Sequence, residues 1–238
     1  MNYTLVQPTG VTADITAKAL TISGITASDK EYDGGTTSTV DATTGLTLTG
    51  LVNGDDFTVT SVGTFSDKNV GAGKTVTLAN TLGGSDLNNY TVTDQTSTTA
   101  EITAKALTIS GITVSDKEYD GGTTSTVDAT TGLTLTGLVT GDDFTVTSVG
   151  TFSDKNVGAG KIVTLANTLG GADLNNYTVT DQTSTTAEIT AKALTISGIT
   201  ASDKEYDGGT TSTVDASTGL TLTGLAVSYT HLTLPTIA

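Results

Sequence analysis

The chain is a tandem repeat with a period of 87 residues, and this period constrains its fold more than any other feature. The stretch AKALTISGITASDKEYDGGTTSTVDA begins at Ala17, returns at Ala104 with one change, and returns unchanged at Ala191. The copies at residues 17–103 and 104–190 differ only at the pairs Ala27/Val114, Asn53/Thr140, Thr75/Ile162 and Ser85/Ala172. Because a fixed period is typical of repeat architectures, a site of specific chemistry has to be present in every copy.

The period also sets the domain boundaries. Residues 17–103 and 104–190 are two complete repeats, and residues 191–225 begin a third repeat that is truncated. Residues 1–16 align at the same spacing with the end of a complete repeat, so they are predicted to be the last strand of a truncated preceding repeat. Each complete repeat lies within the size range of independently folding domains.

The repeat pattern breaks after Leu225, where LTLTGL is followed by an unrelated sequence. The segment Val227–Thr236, VSYTHLTLPT, resembles the in-frame translation of a sequencing adapter. Residues 226–238 are therefore interpreted as a non-native tail and excluded from reasoning about fold and sites. This exclusion removes His231, which is the only histidine in the chain.

Apolar and polar residues alternate within each copy with a period of two, which predicts half-buried strands. Leu20 and Ile22 alternate with threonine and serine in ALTISGIT, and Phe57 and Val59 alternate with threonine in FTVT. No stretch of ten residues shows helical spacing. The pattern predicts an all-β fold of tandem antiparallel β-sandwich-like modules, immunoglobulin-like and about 87 residues each.

The junction between copies predicts a stiff connection. Residues 100–109, AEITAKALTI, contain neither glycine nor proline and continue the alternation, whereas a flexible linker is rich in small polar residues. We therefore expect the last strand of one copy to run almost directly into the first strand of the next. Modules joined in this way are expected to form an elongated rod.

Charge and composition exclude several classes of partner. Ten acidic residues against four lysines give each complete copy a net charge of −6, and the chain contains no arginine. Nucleic acids and anionic membranes both require a cationic surface, so neither is expected to bind. The absence of cysteine rules out disulfides and thiolate metal sites.

The residue types also argue against an enzyme. With the tail excluded there is no histidine for nucleophilic catalysis. Asp55 and Asp56 are adjacent carboxylates, but neighbours on an extended chain point to opposite faces, and glycoside hydrolysis needs two carboxyls that flank the sugar. The glycine-rich segment FSDKNVGAGK lacks the residue order of a nucleotide-binding loop. We therefore predict no catalytic residues and no cofactor.

A calcium site is the one metal hypothesis that the sequence leaves open. Asp29, Glu31 and Asp33 alternate along an extended segment, which would place three carboxylates on one side. Calcium prefers such oxygen ligands, although a complete ligand loop is missing. The equivalent residues of the second copy are Asp116, Glu118 and Asp120. Solvated charge on a hairpin is the simpler interpretation.

The Tyr-Asp-Gly motif at Tyr32, Asp33 and Gly34 is interpreted as structural. Asp33-Gly34-Gly35 lies between two alternating segments and predicts a hairpin turn. The ring of Tyr32 is expected to pack on the apolar face, because it is one of only four aromatic residues in the copy. The same motif recurs at Tyr119, Asp120 and Gly121, and at Tyr206, Asp207 and Gly208.

Five motifs follow one another in the first copy: AKALTI at residues 17–22, DKEYDGGTT at 29–37, GDDF at 54–57, FSDKNVGAGK at 65–74 and LNNYTV at 87–92. This combination resembles the YDG-type repeat of large bacterial surface proteins, which include filamentous-haemagglutinin-like adhesins. The resemblance covers residues 2–225. It implies no catalytic residues that could be assigned here.

The resemblance implies a secreted or cell-surface location, associated with the bacterial outer membrane. It further implies non-enzymatic stalk or spacer repeats that extend the distal binding domain of an adhesin, with the neighbouring repeats as partners. The alternative is a multivalent binding module in which each repeat binds a glycan or a host surface protein weakly. A glycan array separates the two hypotheses, because a spacer gives no signal. No membrane insertion is expected of this chain.

Overall fold

The computed structural model describes residues 2–225, so the tail predicted at 226–238 lies outside the described residues. The chain divides into two compact units. The first takes the described residues up to Ala106 together with the segments Val139–Asp142 and Asp173–Thr178. The second takes Leu107–Leu138, Asp143–Ala172 and the described residues from Val179 onward.

The described residues form strands and short 3₁₀ turns without an α-helix, which confirms the all-β prediction. The elements of the first repeat are β1 (Lys18–Ser23), β2 (Thr26–Ala27), β3 (Lys30–Glu31), β4 (Thr37–Ser38), β5 (Val40–Asp41), β6 (Thr47–Thr49), β7 (Thr58–Phe65), β8 (Gly71–Gly83), the 3₁₀ turn Leu87–Asn89, β9 (Tyr90–Thr93) and β10 (Ser97–Thr103).

Two main sheets organise the first repeat. One has the strand order β6-β1-β9 and the other has the order β3-β10-β8-β7-β4, while β2 and β5 form a separate pair. The pairing differs from the antiparallel prediction at two places, because β1 pairs with β9 in parallel and β10 pairs with β3 in parallel. Alternation specifies the buried face of a strand but not the direction of its neighbour, so the sequence pattern missed these two pairs.

The buried faces follow the predicted alternation. Leu20 and Ile22 of β1 are 1% and 2% exposed, whereas the residues between and beside them face solvent. The longest hairpin joins β7 to β8, with register from Thr58 opposite Gly83 to Phe65 opposite Val76. Its loop, residues 66–70, connects the ends of these two strands and carries SDKNV of the FSDKNVGAGK motif.

The glycines of Asp33-Gly34-Gly35 and of Gly71-Ala72-Gly73 do not form hairpin turns, although the sequence predicted one at the first of these two places. Asp33-Gly34-Gly35 does not close a hairpin, because β3 pairs with β10 and β4 pairs with β7. The segment Gly71-Ala72-Gly73 lies inside β8, where the pairing with β10 shifts register in a bulge. In both places glycine supplies a positive φ, at Gly34 and at Gly73, for a local distortion and not for a hairpin turn.

The second repeat reproduces this arrangement with β11 (Lys105–Ser110), β12 (Thr113–Val114), β13 (Lys117–Glu118), β14 (Val127–Asp128), β15 (Thr134–Thr136), β16 (Thr145–Phe152), β17 (Gly158–Gly170), the 3₁₀ turn Leu174–Asn176, β18 (Tyr177–Thr180) and β19 (Ser184–Thr190). Its larger sheet has the order β13-β19-β17-β16. A single bridge between Thr124 and Thr151 stands where the first repeat has the β4–β7 pair. One residue separates β10 from β11, as the junction sequence predicts.

The incomplete ends of the array form little sheet. Residues 2–17 contain no strand and are exposed, so their equivalence to a last strand stays a comparison of sequences. The third repeat forms β20 (Thr195–Ser197), β21 (Thr200–Ala201), β22 (Val214–Asp215) and β23 (Thr221–Thr223), paired as β20–β23 and β21–β22. Among residues 2–225, no helix has the length and apolar character that crossing a membrane would require.

The third repeat is expected to exchange its amide hydrogens much faster than the equivalent part of the first. Leu194, Ile196 and Ile199 are 57%, 59% and 53% exposed, whereas their first-repeat equivalents are at most 2% exposed. Few buried contacts lower the free energy of local opening. Hydrogen exchange with mass spectrometry can compare the peptide that contains Ser217 with the equivalent peptide of the complete repeats, which has threonine at this position, as Thr43 and Thr130. Equal protection in both peptides would contradict the prediction.

Candidate functional site

Tyr32 of the Tyr-Asp-Gly motif is the most buried aromatic residue of the first unit, with no exposed surface. Its backbone N–H donates to the carbonyl of Thr103, which fixes the residue beside β10. Its hydroxyl donates a hydrogen bond of 2.8 Å to Oδ2 of Asp142. Its ring meets that of Tyr177 edge to face, with centroids 5.6 Å apart. Tyr32 is therefore a packing residue, as predicted, and also a hydrogen-bond donor.

Asp142 is a nearly buried carboxylate, with only 4% of its side chain exposed. The hydroxyls of Tyr177 and Tyr32 donate to Oδ2 at 2.6 and 2.8 Å, and Nζ of Lys68 donates to Oδ1 at 3.2 Å. A buried carboxylate is costly unless it is paired and hydrogen-bonded. Three hydrogen bonds, one of them from the positively charged lysine, satisfy this requirement here.

Lys68 brings the positive charge from the loop between β7 and β8. Its Nζ lies 3.2 Å from Oδ1 of Asp142 and 2.8 Å from Oδ1 of Asp173, and it is 5.9 Å from the centre of the Tyr32 ring. The loop is held by Asp67, which accepts hydrogen bonds from the Asn69 N–H and from the Nζ of a lysine in β8. The FSDKNVGAGK motif thus positions a lysine between two carboxylates.

The same loop binds Asn176 through its backbone. The Val70 N–H donates to Oδ1 of Asn176 at 3.0 Å, and Nδ2 of Asn176 donates to Oδ1 of Asn69 at 3.3 Å. Asn176 is only 3% exposed, whereas its first-repeat equivalent Asn89 is exposed. The LNNY motif therefore meets the FSDKNV motif through both the oxygen and the nitrogen of the Asn176 amide. We call Tyr32, Lys68, Asp142, Asp173, Asn176 and Tyr177 the Tyr32 cluster.

The remaining letters of the motif shape the turn beside Tyr32. Oδ1 of Asp33 accepts hydrogen bonds from the Gly35 N–H at 2.9 Å and from Nζ of Lys30 at 2.7 Å. Gly34 has a φ of +78°, and a Cβ at this position would lie 2.9 Å from Cγ1 of Val139. Glycine is required for the positive φ and also for the close approach of Val139.

The pKa values show how the environment fixes the charges. Burial by itself raises the pKa of the Asp142 carboxyl, but the hydrogen bonds from the two tyrosines and the lysine outweigh it and hold the pKa below its ordinary value. Burial and the hydrogen bond to Asp142 raise the pKa of Tyr32, and they raise the pKa of Tyr177 to about 12. The hydrogen bond to Asp173 is the largest cause that raises the pKa of Lys68.

This arrangement favours permanent charge pairing over proton transfer or nucleophilic attack. A lysine acts as a nucleophile only when it loses its proton readily, whereas the surroundings of Lys68 hold the proton more firmly. General acid–base chemistry works best with a pKa near the operating pH, but the pKa values of Asp142 and Tyr177 move away from neutrality. The chemistry suits cohesion between chain segments.

The candidate calcium ligands have separate partners. Oδ1 of Asp29 accepts a hydrogen bond from the Glu101 N–H at 2.6 Å, and Glu31 forms an ion pair with Lys105 at 2.9 Å. Asp33 pairs with Lys30, as described above. In the second repeat, Asp116, Glu118 and Asp120 bind Glu188, Lys192 and Lys117 in the same way. Within residues 2–225 no group of three acidic or histidine side chains is arranged to hold a metal ion.

Asp55 and Asp56, the paired carboxylates of the first repeat, also act separately. Asp55 accepts a hydrogen bond from the Tyr90 hydroxyl. Asp56 accepts one from the Ser85 N–H at 3.0 Å, and its own N–H donates to Asp86 at 2.9 Å. The two carboxylates therefore bind different residues, Tyr90 at the start of β9 and Ser85 after the end of β8, in agreement with the expectation that they point to opposite faces.

Comparison with known families identifies the repeat. Residues 16–99 and 103–186 each match the YDG domain, and together they cover most of the chain. The chain belongs to the YDG domain family. The comparison supports the YDG-type repeat that the motifs predict, and it leaves the adhesin context as a proposal. No curated protein and no solved structure matches the chain.

The sequence predicted Tyr32, Asp33 and Gly34 as structural residues of the YDG repeat, but it missed their partners. Lys68, Asp142, Asp173 and Asn176 lie where the period-two alternation is interrupted, and Tyr177 follows directly after one of these interruptions. That interruption was the available signal, because a polar side chain inside a β-rich core needs a hydrogen-bond partner. In the third repeat, the Tyr-Asp-Gly motif at Tyr206, Asp207 and Gly208 is exposed.

Removing the Tyr32 hydroxyl is expected to destabilise the first unit by about 1.5–3 kcal/mol, the range for hydrogen bonds to charged groups. Tyr32→Phe leaves the ring in place and deprives the buried Asp142 of one donor. Tyr119→Phe is the matched control, since no hydrogen bond from the Tyr119 hydroxyl is found within residues 2–225, and it is expected to change stability by less than about 0.5 kcal/mol.

The two variants are compared by hydrogen exchange at increasing urea concentration. Peptides that contain Asn53 or Thr140, or Ser85 or Ala172, distinguish the two repeats by mass. Equal losses of protection for Tyr32→Phe and Tyr119→Phe would show that the hydrogen bond to Asp142 does not contribute to stability.

Stability should fall at both extremes of pH through the Tyr32 cluster. Because the pKa of Asp142 is lowered on folding, its contribution is present above about pH 4, the unfolded aspartate value, and is lost as the pH falls through the folded value. Because the pKa of Tyr177 is raised to about 12, its contribution is present below about pH 10 and is lost as the pH rises towards 12. Urea unfolding measured from pH 2 to 12 tests both limits.

The control for this pH profile is Asp142→Asn, which cannot titrate at position 142. Other aspartates with lowered pKa values, such as Asp41 and Asp128, are unchanged in this variant. The difference between the two profiles therefore isolates Asp142. Parallel profiles for the two proteins below pH 4 would contradict the prediction.

Proposed function

We propose that these YDG repeats are non-enzymatic stalk or spacer repeats of a secreted or surface-exposed bacterial adhesin, and that they hold a distal binding domain away from the cell. The observation that carries the proposal is the composition of the first unit. The Tyr32 cluster in the first unit includes residues from the segments Val139–Asp142 and Asp173–Thr178, which belong in sequence to the second repeat. A spacer requires that successive repeats do not move independently.

The Tyr32 cluster supports a mechanical role through the cost of opening it. Separating its segments would leave Asp142 without two of its donors, and an uncompensated buried charge is strongly destabilising. It would also separate the Tyr32 and Tyr177 rings, a type of pair worth about 0.5–1.5 kcal/mol beyond area burial. Contacts of this kind resist bending better than a flexible linker does.

The chain junction and the charge fit the same role. A single residue separates β10 from β11, so the connection has little freedom of its own. A net charge of −15 keeps a long array soluble. The longest strands, β8 and β17, have 13 residues each, so at roughly 3.3 Å per residue each repeat would add about 40 Å to an extended array.

The proposal is tested by the spread of distances between the two complete repeats. The chain contains no cysteine, so Thr60→Cys and Thr147→Cys place spin labels at equivalent exposed positions of β7 and β16. A stalk predicts one narrow distance distribution by double electron–electron resonance. Asp142→Ala is expected to broaden the distribution, because it removes the acceptor for Tyr32 and Lys68.

Asp55→Ala is the matched control for this measurement. Asp55 makes the same bond to Tyr90 that Asp142 makes to Tyr177, but within residues 2–225 it has no hydrogen bond with another tyrosine or with Lys68. It should leave the distribution unchanged. A broad distribution in the unmodified chain, or small-angle scattering typical of a freely bending pair, would remove the stalk proposal.

A further inference from the structure

Within residues 2–225, the second unit carries equivalents of the first-repeat residues of the Tyr32 cluster, but not of the segments Val139–Asp142 and Asp173–Thr178 that complete the cluster in the first unit. The equivalents of Tyr32, Lys68, Asn69 and Val70 are Tyr119, Lys155, Asn156 and Val157, which we call the tyrosine face. Val157 is 54% exposed and Lys155 is exposed, whereas Val70 and Lys68 are partly covered. Tyr119 is half-buried, whereas Tyr32 is fully buried.

The tyrosine face borders a cavity of about 330 Å³. Its lining includes Tyr119, Asn156, Val157, Lys192, Leu194 and Leu225. These positions correspond, one period earlier, to Tyr32, Asn69, Val70, Lys105, Leu107 and Leu138. The cavity therefore lies where the first unit accommodates the Val-x-Gly-Asp and Asp-Leu-Asn-Asn-Tyr segments.

The tyrosine face makes the same local hydrogen bonds as the equivalent residues of the first repeat. The Tyr119 N–H donates to Thr190 at 2.9 Å, the same distance as from Tyr32 to Thr103. The Asn156 N–H donates to Asp154 at 2.8 Å, which reproduces the bond that holds the first-repeat loop. A preorganised surface loses less conformational entropy on binding.

The first repeat carries the residues of the complementary surface. The equivalents of Asp142, Asp173, Asn176 and Tyr177 are Asp55, Asp86, Asn89 and Tyr90, which we call the acidic face. Asn89 is exposed, although its equivalent in the Tyr32 cluster is 3% exposed. The acidic face lacks a lysine partner within residues 2–225, because no ion pair involves Asp55 or Asp86 there.

The acidic face is also preorganised. The Val52 N–H donates to the Tyr90 hydroxyl at 3.0 Å, and this hydroxyl donates to Asp55. In the Tyr32 cluster, the Val139 N–H donates to the Tyr177 hydroxyl at 2.9 Å, and this hydroxyl donates to Asp142. The acidic face therefore has the internal hydrogen bonds of the Tyr32 cluster without a bound tyrosine or lysine. The groups still missing from it are a second tyrosine hydroxyl and an ammonium, which Tyr119 and Lys155 would supply.

We infer that the tyrosine face of one molecule binds the acidic face of a second copy of this chain, head to tail. The pairing places Lys155 between Asp55 and Asp86, and the Val157 N–H on Oδ1 of Asn89. Such an interface is heterologous, so it forms open chains of molecules and not only dimers. At physiological ionic strength, screening limits the repulsion between two acidic molecules to a range of about 8 Å. Association should therefore strengthen when the salt concentration is raised from a low value to the physiological one.

Sedimentation velocity of the whole chain tests the inference at concentrations up to about 1 mM, where weak pairs are populated. The unmodified protein is expected to form dimers and longer species. Val157→Glu blocks the tyrosine face and Asn89→Arg blocks the acidic face; both side chains are exposed, so folding should tolerate them. Each variant alone is expected to weaken association at least tenfold.

A mixture of the two variants is the decisive experiment. Each molecule then has one intact face, so the mixture should form one-to-one dimers and nothing larger. Ala159→Glu and Asn88→Arg introduce the same charges at neighbouring exposed positions and should leave association unchanged. In the unmodified protein, the Val157 amide should exchange more slowly as concentration rises.

Two results would overturn the inference. One is a monomer at every concentration and salt level, and the other is association that survives Val157→Glu or Asn89→Arg, which would place the interface elsewhere. Neither result would affect the stalk proposal, because that proposal depends on the Tyr32 cluster within one chain. The distance measurement with Asp142→Ala and this association measurement therefore succeed or fail separately.

Discussion

The buried carboxylate of Asp142 is the interaction on which the arrangement of the first unit depends. It accepts hydrogen bonds from two tyrosine hydroxyls and one lysine ammonium, and 4% of its side chain is exposed. A carboxylate in this environment is tolerated only while all of its partners are in place. The cluster therefore acts as a single unit, and its parts come from the turn after β3, the β7–β8 loop and two segments of the following repeat.

The Tyr-Asp-Gly motif gains a physical explanation from this cluster. The tyrosine supplies a ring and a donor, the aspartate fixes the turn through a backbone N–H, and the glycine admits Val139 at a distance that a Cβ would prevent. The same three residues in the second repeat keep their local turn bonds, because Asp120 still accepts from the Gly122 N–H. The motif therefore forms the same local turn in both complete repeats, whereas its contact with Asp142 is formed only by the first.

Because the copies are nearly identical in sequence, equivalent residues in different surroundings can be compared within one chain. Tyr32 and Tyr119 have the same neighbours in sequence but differ in burial, and so do Asn89 and Asn176. Leu20 and Leu194 differ in the same way, at 1% and 57% exposed. In each pair the residue type is constant, so the difference comes only from whether a partner segment is present. Burial here is a property of the array and not of the single repeat.

The sequence by itself determined the period, the boundaries of the repeats, the all-β class and the faces of the strands that are buried. These properties are local or periodic, because alternation records which side of a strand meets the core. Leu20, Ile22 and Val59 are buried as their alternation predicts.

Only the tertiary structure decided which copy supplies the partner of Tyr32, and that β1–β9 and β3–β10 pair in parallel. The bond from Tyr32 to Asp142 joins residues 110 positions apart, while an identical GDDF segment lies much closer, at Asp55. Two identical segments present the same chemistry to a tyrosine, so no sequence pattern can choose between them. The choice is made by chain geometry, which places one segment within reach and leaves the other outside it.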